Sequence, residues 1–369
     1  MLLYAFLLWG LPWVFVPHTL DAWDVPKQAA FQLCGWLFVS WGVLVHGIKR
    51  PPAVLAIVVA LTAYAVFSCA FRFWLPIVSA SPNADSVAMN WHIVRPAIHL
   101  VLGCLIALVL FTCFQKDPND AELLRFGVCM SAFLLAAVCL FQRFGVFLFL
   151  DAAALTFPIS DPSARMIGFM GNKVETASFL AAAFPLFLPD RGLWIFAAVV
   201  ASAVLLSGVS YAIAAGTLST AWFARARIRA LMVPIIATCC GIGCFLLLGD
   251  ERLPLWQAEF SRWLEHPFLG YELGDFALRE SQGSGLLWRS LHSDSLQALF
   301  EFGLFGFLFV VAAAILIIRS KSSPWQACLV SMGILSMTSF PWHTTAISLL
   351  GLTALSAQAS ESLGGTLNA

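Results

Sequence analysis

His292-Ser-Asp-Ser-Leu-Gln-Ala-Leu-Phe-Glu-Phe-Gly-Leu-Phe-Gly-Phe-Leu-Phe-Val-Val-Ala-Ala-Ala-Ile-Leu-Ile-Ile318 decides the fold class. Between Leu299 and Ile318 the only charged residue is Glu301. A helix of about 20 residues rises roughly 30 Å, the thickness of a bilayer's hydrocarbon core. The stretch therefore predicts a membrane span over 299–318, entered directly from a polar His-Ser-Asp-Ser cluster. That junction poses a question. Either a loop simply ends where a helix begins, or His292 stands at a membrane surface to do chemistry.

The rest of the chain repeats the pattern. Of its 369 residues, 60% are hydrophobic and 11% charged, against the roughly 25% charge of a soluble domain; the mean hydropathy is +0.88. Apolar runs recur at about 1–17, 29–46, 53–71, 96–114, 126–142, 174–189, 193–208, 210–224, 230–248, 299–318, 325–341 and 344–359. The expectation is an all-α polytopic membrane protein of about 12 spans, forming one integral domain over 1–369. The opening Met1-Leu2-Leu3 has no positive n-region, so the first run reads as a retained span rather than a signal peptide. The formal net charge is zero; there is no basic patch for nucleic acid.

Lysine and arginine divide evenly in number between alternate connections. On one side they sit in short clusters, such as Ala224-Arg-Ala-Arg-Ile-Arg229 and Lys49-Arg50. The positive-inside rule places those clusters, and both termini, in the cytoplasm. The outer side then carries the polar mass: segments 72–95 and 143–173, and a large loop over 249–296. Within that loop Pro254 suits a helix's first turn. Trp256, Phe260, Trp263 and Leu264 form an apolar stripe, with Glu259, Arg262 and His266 on another face, until Pro267 ends the helix. This predicts an amphipathic helix lying on the membrane, its tryptophans at the interface. All ten cysteines lie within or at the ends of apolar runs, where thiols pack as small hydrophobes rather than forming disulfides or a zinc site.

Outer-side arginines run against the topological grain. Arg165, Arg252, Arg262, Arg279 and Arg289 have the planar fork that grips phosphate bidentately; the competing reading pairs them with nearby acids or lipid phosphates. His292 is a candidate general base, with Asp294 placed to orient it if the chain turns between them; a loop histidine is otherwise a solvated side chain. His343, in a turn between two outer helix ends, is a second candidate. His46 and His99, at or within spans, read as structural. Gly283-Ser284-Gly285 is a flexible turn, not a nucleophile elbow. No D-x-D sequence or carboxylate pair suggests a metal, and no cofactor is expected.

In combination these pieces resemble the O-antigen ligase/polymerase family of bacterial membrane glycosyltransferases, from about Arg165 to the C-terminus. Arg252-Leu-Pro-Leu-Trp256 resembles the family's R-x-x-x-W, and Pro267-Phe-Leu-Gly270 its P-x-x-G-x-G. His292-Ser293 through Glu301, Gly303 and Gly306 resembles its H-N-x-x-L-x-x-x-x-E-x-G-x-x-G. Arg165-Met-Ile-Gly168 with Asn172 resembles R-x-x-G and a following asparagine; Phe340-Pro-Trp-His343 resembles its late outer turn. Ser293 replaces the asparagine, Glu272 the second glycine, and Ser210-Tyr211 a Ser-Arg pair. The resemblance implies a GT-C-like fold at the bacterial inner membrane, with the active site periplasmic. It implies metal-independent transfer of a glycan from undecaprenyl diphosphate to a sugar hydroxyl, on lipid A–core in a ligase or on another lipid-linked glycan in a polymerase. His292 would be the base; Arg165, Arg252 or Arg262 would hold the diphosphate, with Asn172, Arg289, Asp294 and His343 nearby. Two other classes remain. A lipid-linked saccharide transporter would bring broken helices, midplane charges and two similar halves, and the halves here do not resemble each other. A membrane scaffold for glycan assembly is the third.

Overall fold

The computed structural model describes residues 1–14, 24–77, 84–147, 162, 165–224, 252–271, 279–280, 287–288, 293–339, 342 and 344–367. Among them the protein is all-helical apart from a two-residue antiparallel ladder pairing Arg279 with Trp288 and Glu280 with Leu287. The helices are α1 (Leu2–Gly10), α2 (Asp24–His46), α3 (Ala53–Ile77), α4 (Ala84–Lys116), α5 (Asn119–Arg143), α6 (Lys173–Ala183), α7 (Trp194–Ser207), α8 (Ser210–Ala224), α9 (Arg252–Trp263), α10 (Asp294–Arg319), α11 (Pro324–Thr338) and α12 (Thr345–Leu367). Among the described residues, four stretches are long and apolar enough to cross a membrane: Pro26–His46, Ala97–Lys116, Asn119–Arg143 and Asp294–Arg319. Ala53–Phe67 and Arg191–Ser207 are apolar but shorter. The apolar run expected at 230–248 lies outside the described residues.

Prolines account for the shortened elements. The first run turns 3-10 at Leu11–Trp13, with Pro12 inside it. The run expected at 174–189 stays α-helical only to Ala183 and then tightens to 3-10 over Phe184–Phe187, where Pro185 has no N–H to offer. By contrast α7 ends where glycine allows it, at Gly208 in the left-handed region (φ 69°).

The helices pack pairwise, α12 on α4, α11 on α8, α10 on α3 and α2 on α4. Their interfaces carry polar bolts as well as apolar contacts. Tyr4 and Thr353 are hydrogen-bonded at 2.7 Å, and Ser356 donates to the Ala107 carbonyl at 3.0 Å. Such bonds hold helices together where burial gives little differential drive. Large apolar side chains face outward on α2 (Leu33, Leu37, Leu44) and on α10 (Leu308, Ile315). That is the surface a lipid-facing helix presents.

The bundle has two ends. At one, Lys116 meets the His46 ring at 3.0 Å, Gln115 bonds Ser360, Ser323 donates to Gln358, and Trp222 donates to Gln326. His46 and His99 thus sit in the framework; His99 bonds Gln32 at 2.7 Å and stacks edge-on against Phe31. Helices α2, α5 and α10 run from there to the opposite end, where every described candidate residue is found. Of the cysteines, Cys104, Cys113, Cys129, Cys139 and Cys328 are buried and free, and Cys34 is partly covered.

Candidate functional site

Two loops at that opposite end carry the candidates. The first runs from Arg165 to Asn172, between α5 and α6. Met166, Ile167, Phe169 and Met170 are all buried, so its backbone polar groups need partners. Gln142 supplies two, with Oε1 accepting from the Gly168 N–H at 2.8 Å and Nε2 donating to the Gly168 carbonyl at 3.3 Å. Thr176 donates to the Ile167 carbonyl at 2.6 Å. Lys27, 3% exposed, donates to the Phe169 carbonyl at 2.8 Å. Gly168 and Gly171 take positive φ, 55° and 87°. Asn172 acts as the N-cap of α6, its Oδ1 accepting from the Val174 N–H at 2.8 Å. The side chain of Arg165 emerges from this clamped loop and lies against Gly145 at the end of α5, where neighbouring Arg143 donates to the last carbonyls of α7 at Leu206.

The second site is the start of α10. The sequence placed the helix from 299 and the loop to 296; α10 instead begins at Asp294. The reason is local. Ser293, where the family pattern has asparagine, is an N-cap whose Oγ accepts from the Leu296 N–H and donates to the Ser336 carbonyl. Asp294 fits the positive end of the helix dipole. Its Oδ2 accepts from the Trp342 N–H at 2.8 Å, and its own N–H donates to the Ser339 carbonyl at 3.0 Å. The chain next to His292 is thereby tied to the chain next to His343. His292, His343 and Arg289 themselves lie outside the described residues, as does the side chain of Arg252.

One turn on, Gln297 Nε2 donates to Glu301 at 2.8 Å, and both are buried. Then the helix breaks. Gly303 has φ 63° and ψ −170°, a conformation open essentially to glycine alone. Into the break comes 267–271. Leu304 N–H donates to the Pro267 carbonyl at 2.8 Å, Phe305 N–H to the Phe268 carbonyl at 3.2 Å, and Tyr271 N–H to the Phe300 carbonyl at 2.8 Å. Tyr64 on α3 donates to the Phe302 carbonyl at 3.1 Å. Gly270 (φ 69°) and Gly303 touch backbone to backbone, so that a Cβ on either would collide with the other's nitrogen. A discontinuous helix survives in a membrane protein only when such freed groups are recovered.

Helix α9 confirms an amphipathic helix but corrects its faces. Leu255 packs on Phe300 of α10, with Trp256 and Trp263 partly covered around Phe300 and Leu296, and Glu259 is also buried. Phe260, Leu264, Phe268 and Leu269 are exposed. Glu259, expected on the solvent side, therefore faces protein, and the phenylalanine and leucines rather than the tryptophans form the outward apolar surface. Arg262 stands one turn from Glu259, Nη1 to Oε2 3.8 Å. The Arg262 guanidinium also covers the Tyr271 ring, Cζ to centroid 3.9 Å. Tyr271 donates to the Arg262 carbonyl at 2.6 Å and to Glu265 at 3.0 Å; burial, then the bond to Glu265, raises its phenol pKa. Arg262 is thus engaged within its own loop.

Neither a scan against protein-family models nor a search of curated proteins returns a match to this chain. Sequence reasoning missed Lys27, Gln142, Tyr64 and Gln297. Lys27 and Gln142 did leave a signal, each being a polar residue at the edge of an otherwise apolar run.

Proposed function

We propose that this protein is an integral inner-membrane glycosyltransferase of about 12 spans, moving a glycan from undecaprenyl diphosphate to a sugar hydroxyl at the periplasmic face. The observation that supports the reading is that the segments Arg165 to Asn172 and Ser293 to Gly303 both lie toward the end of the bundle away from His46 and Lys116, each anchored by buried hydrogen bonds. Rigid anchoring is what catalytic groups require, because small misplacements forfeit much of the rate.

In this reading His292 takes the proton of the acceptor hydroxyl as that oxygen attacks the anomeric carbon. The carbon–oxygen bond to the diphosphate breaks on the opposite side, inverting the centre. Arg165 and Arg252 hold the leaving diphosphate and stabilise its developing charge. Arg262, already engaged by Glu259 and Tyr271, and Arg289 are secondary. Asn172 and Asp294 fix the two loops, and His343 is next in the chain to Trp342, whose N–H donates to Asp294. The acceptor is lipid A–core in the ligase form of the proposal and a second lipid-linked glycan in the polymerase form.

The break at Gly303 favours one other reading, transport of lipid-linked saccharide, since transporters use discontinuous helices. Here the freed groups named above bond to 267–271 and Tyr64 instead of lining a path. One experiment separates the two. Full-length protein in lipid is given undecaprenyl-diphosphate glycan and lipid A–core, with and without EDTA. Transfer that survives EDTA is expected; in His292→Ala it falls to background while donor binding persists. Full turnover by His292→Ala ends the mechanism. Translocation across the bilayer without transfer would establish the transporter.

A further inference from the structure

The exposed residues of α9 fall into two rows, each at the i, i+4 spacing of one helix face. Gln257 and Ser261, continued by Glu265, form a polar row. Phe260 and Leu264 form an apolar one, kept helical past Trp263 by the Leu264 N–H donating to the Phe260 carbonyl at 3.2 Å. The apolar row runs on into exposed Phe268 and Leu269 of the strap Pro267–Tyr271. Phe268 lies on Phe305, ring centroids 5.7 Å apart, and the Phe305 N–H donates to the Phe268 carbonyl at 3.2 Å. Phe305 is itself the upper end of the outward face of α10, with Leu308, Val311, Ile315 and Ile318 following it. One continuous apolar surface therefore joins α9, the strap and the lipid-facing side of α10. Its depth follows from the rise of α10, which is regular from Leu304 to Arg319. At about 1.5 Å per residue, Phe305 stands only about 20 Å above Ile318, and Leu308 about 15 Å above it. The hydrocarbon core is roughly 30 Å thick. With Arg319 at one boundary, Phe305 falls roughly 10 Å short of the other, and any tilt of α10 leaves it deeper. Phe268, in contact with Phe305, shares that depth. Backbone carbonyls so placed need partners, and those of His266, Pro267 and Phe268 have them in the N–H groups of Gly270, Leu304 and Phe305.

We propose that α9 and the strap form a re-entrant element of the membrane whose apolar face binds phospholipid acyl chains. Helix α9 rides at the hydrocarbon boundary, with the Gln257 row toward water and the Phe260 row toward lipid. The strap dips about 10 Å below that boundary, carrying Phe268 and Leu269 in among the chains. The break at Gly303 is then the socket that receives backbone inside the hydrocarbon layer, while Asp294 stands at the membrane surface above it. The inference rests on the membrane crossing of α10 in the reading above and is independent of glycosyl transfer.

Depth is measured on the full-length protein in phosphatidylcholine nanodiscs. A ketone-bearing phenylalanine, coupled to a hydroxylamine nitroxide, replaces Phe268, Phe260, Leu308 or Gln257 one at a time, which leaves the ten cysteines untouched. Power-saturation EPR reads collisions with oxygen, which concentrates in hydrocarbon, and with a polar nickel chelate, which stays in water. The oxygen-to-nickel ratio is expected to fall in the order Leu308, Phe268, Phe260, Gln257, with Phe268 about tenfold above Gln257. A label at Phe268 as open to nickel as the one at Gln257 overturns the proposal. So does a label there shielded from both reagents, because protein rather than lipid then covers the face. Should the label at Phe268 block folding, Leu264 takes its place and the same two outcomes decide. Nickel access at Leu308 removes the membrane crossing of α10, and the proposal falls with it. Glycosyl transfer, present or absent, does not enter the readout, so failure of the enzyme reading and failure of this one are told apart.

Discussion

The Arg165–Asn172 loop and the Pro267–Tyr271 strap solve one problem in opposite ways. Both are irregular backbone at the same end of the bundle, and both turn at glycines with positive φ. In the first, side chains come to the backbone: Gln142, Thr176 and Lys27 serve the carbonyls and the N–H of residues 167–169. In the second, backbone meets backbone, and a helix is opened to make room. Side-chain clamps can be retuned by substitution, one partner at a time. A backbone crossing admits no such adjustment.

The sharpest way to break that contrast is Gly303→Ala. The added methyl costs a Gly-only conformation and strikes the Gly270 nitrogen and the Phe268 carbonyl, neither of which can rotate away. A loss of about 3–5 kcal/mol is expected, read as a collapse of the thermal transition in detergent. Survival of Gly303→Ala with a near-normal melting temperature would show the crossing to be adjustable after all. Gln142→Leu comes next. It strands the Gly168 N–H and carbonyl in an apolar setting, for about 2–3 kcal/mol, with a weaker grip on donor because Arg165 loses its footing. Tyr64→Phe is the smallest test. It removes one hydrogen bond from the kink, worth about 1 kcal/mol, and hydrogen exchange should report faster opening near Gly303.

The sequence made the helices legible because hydropathy over about 20 residues is a strong signal; α7 and α8 fall almost where their apolar runs do, while α5 starts seven residues before its run, at Asn119. It could not show the break in α10. Gly303 and Gly306 sit in a run whose one charged residue is Glu301, and the cause of the break lies more than thirty residues away in 267–271. The faces of α9 misled for a related reason. Counting apolar residues groups Phe260 and Leu264 with Trp256 and Trp263, whereas Leu255 and the two tryptophans pack with Phe300 and Leu296 while Phe260 and Leu264 stay exposed. Ser293 looked like a departure from a motif until its hydroxyl proved to be the cap of α10, a task asparagine performs equally well. Lys27 and Gln142 show in the sequence only as polar residues at the edges of apolar runs; their roles stayed hidden because their partners are main-chain atoms, and a sequence names no main-chain partners.

The strap has one more consequence. The hydrogen bond from Tyr271 to the Phe300 carbonyl closes a ring of chain whose two feet are pinned a bond length apart. Closure entropy grows slowly with contour length, about 0.6 kcal/mol for each doubling. The intervening segment is therefore free to gain, lose or exchange residues at small thermodynamic expense while the bundle beneath keeps its shape. Apart from Arg289 and His292, which the proposed reaction holds fixed, variation among descendants of this chain is expected to accumulate between Tyr271 and Ser293, and to stop abruptly at the two glycines that hold the ring shut.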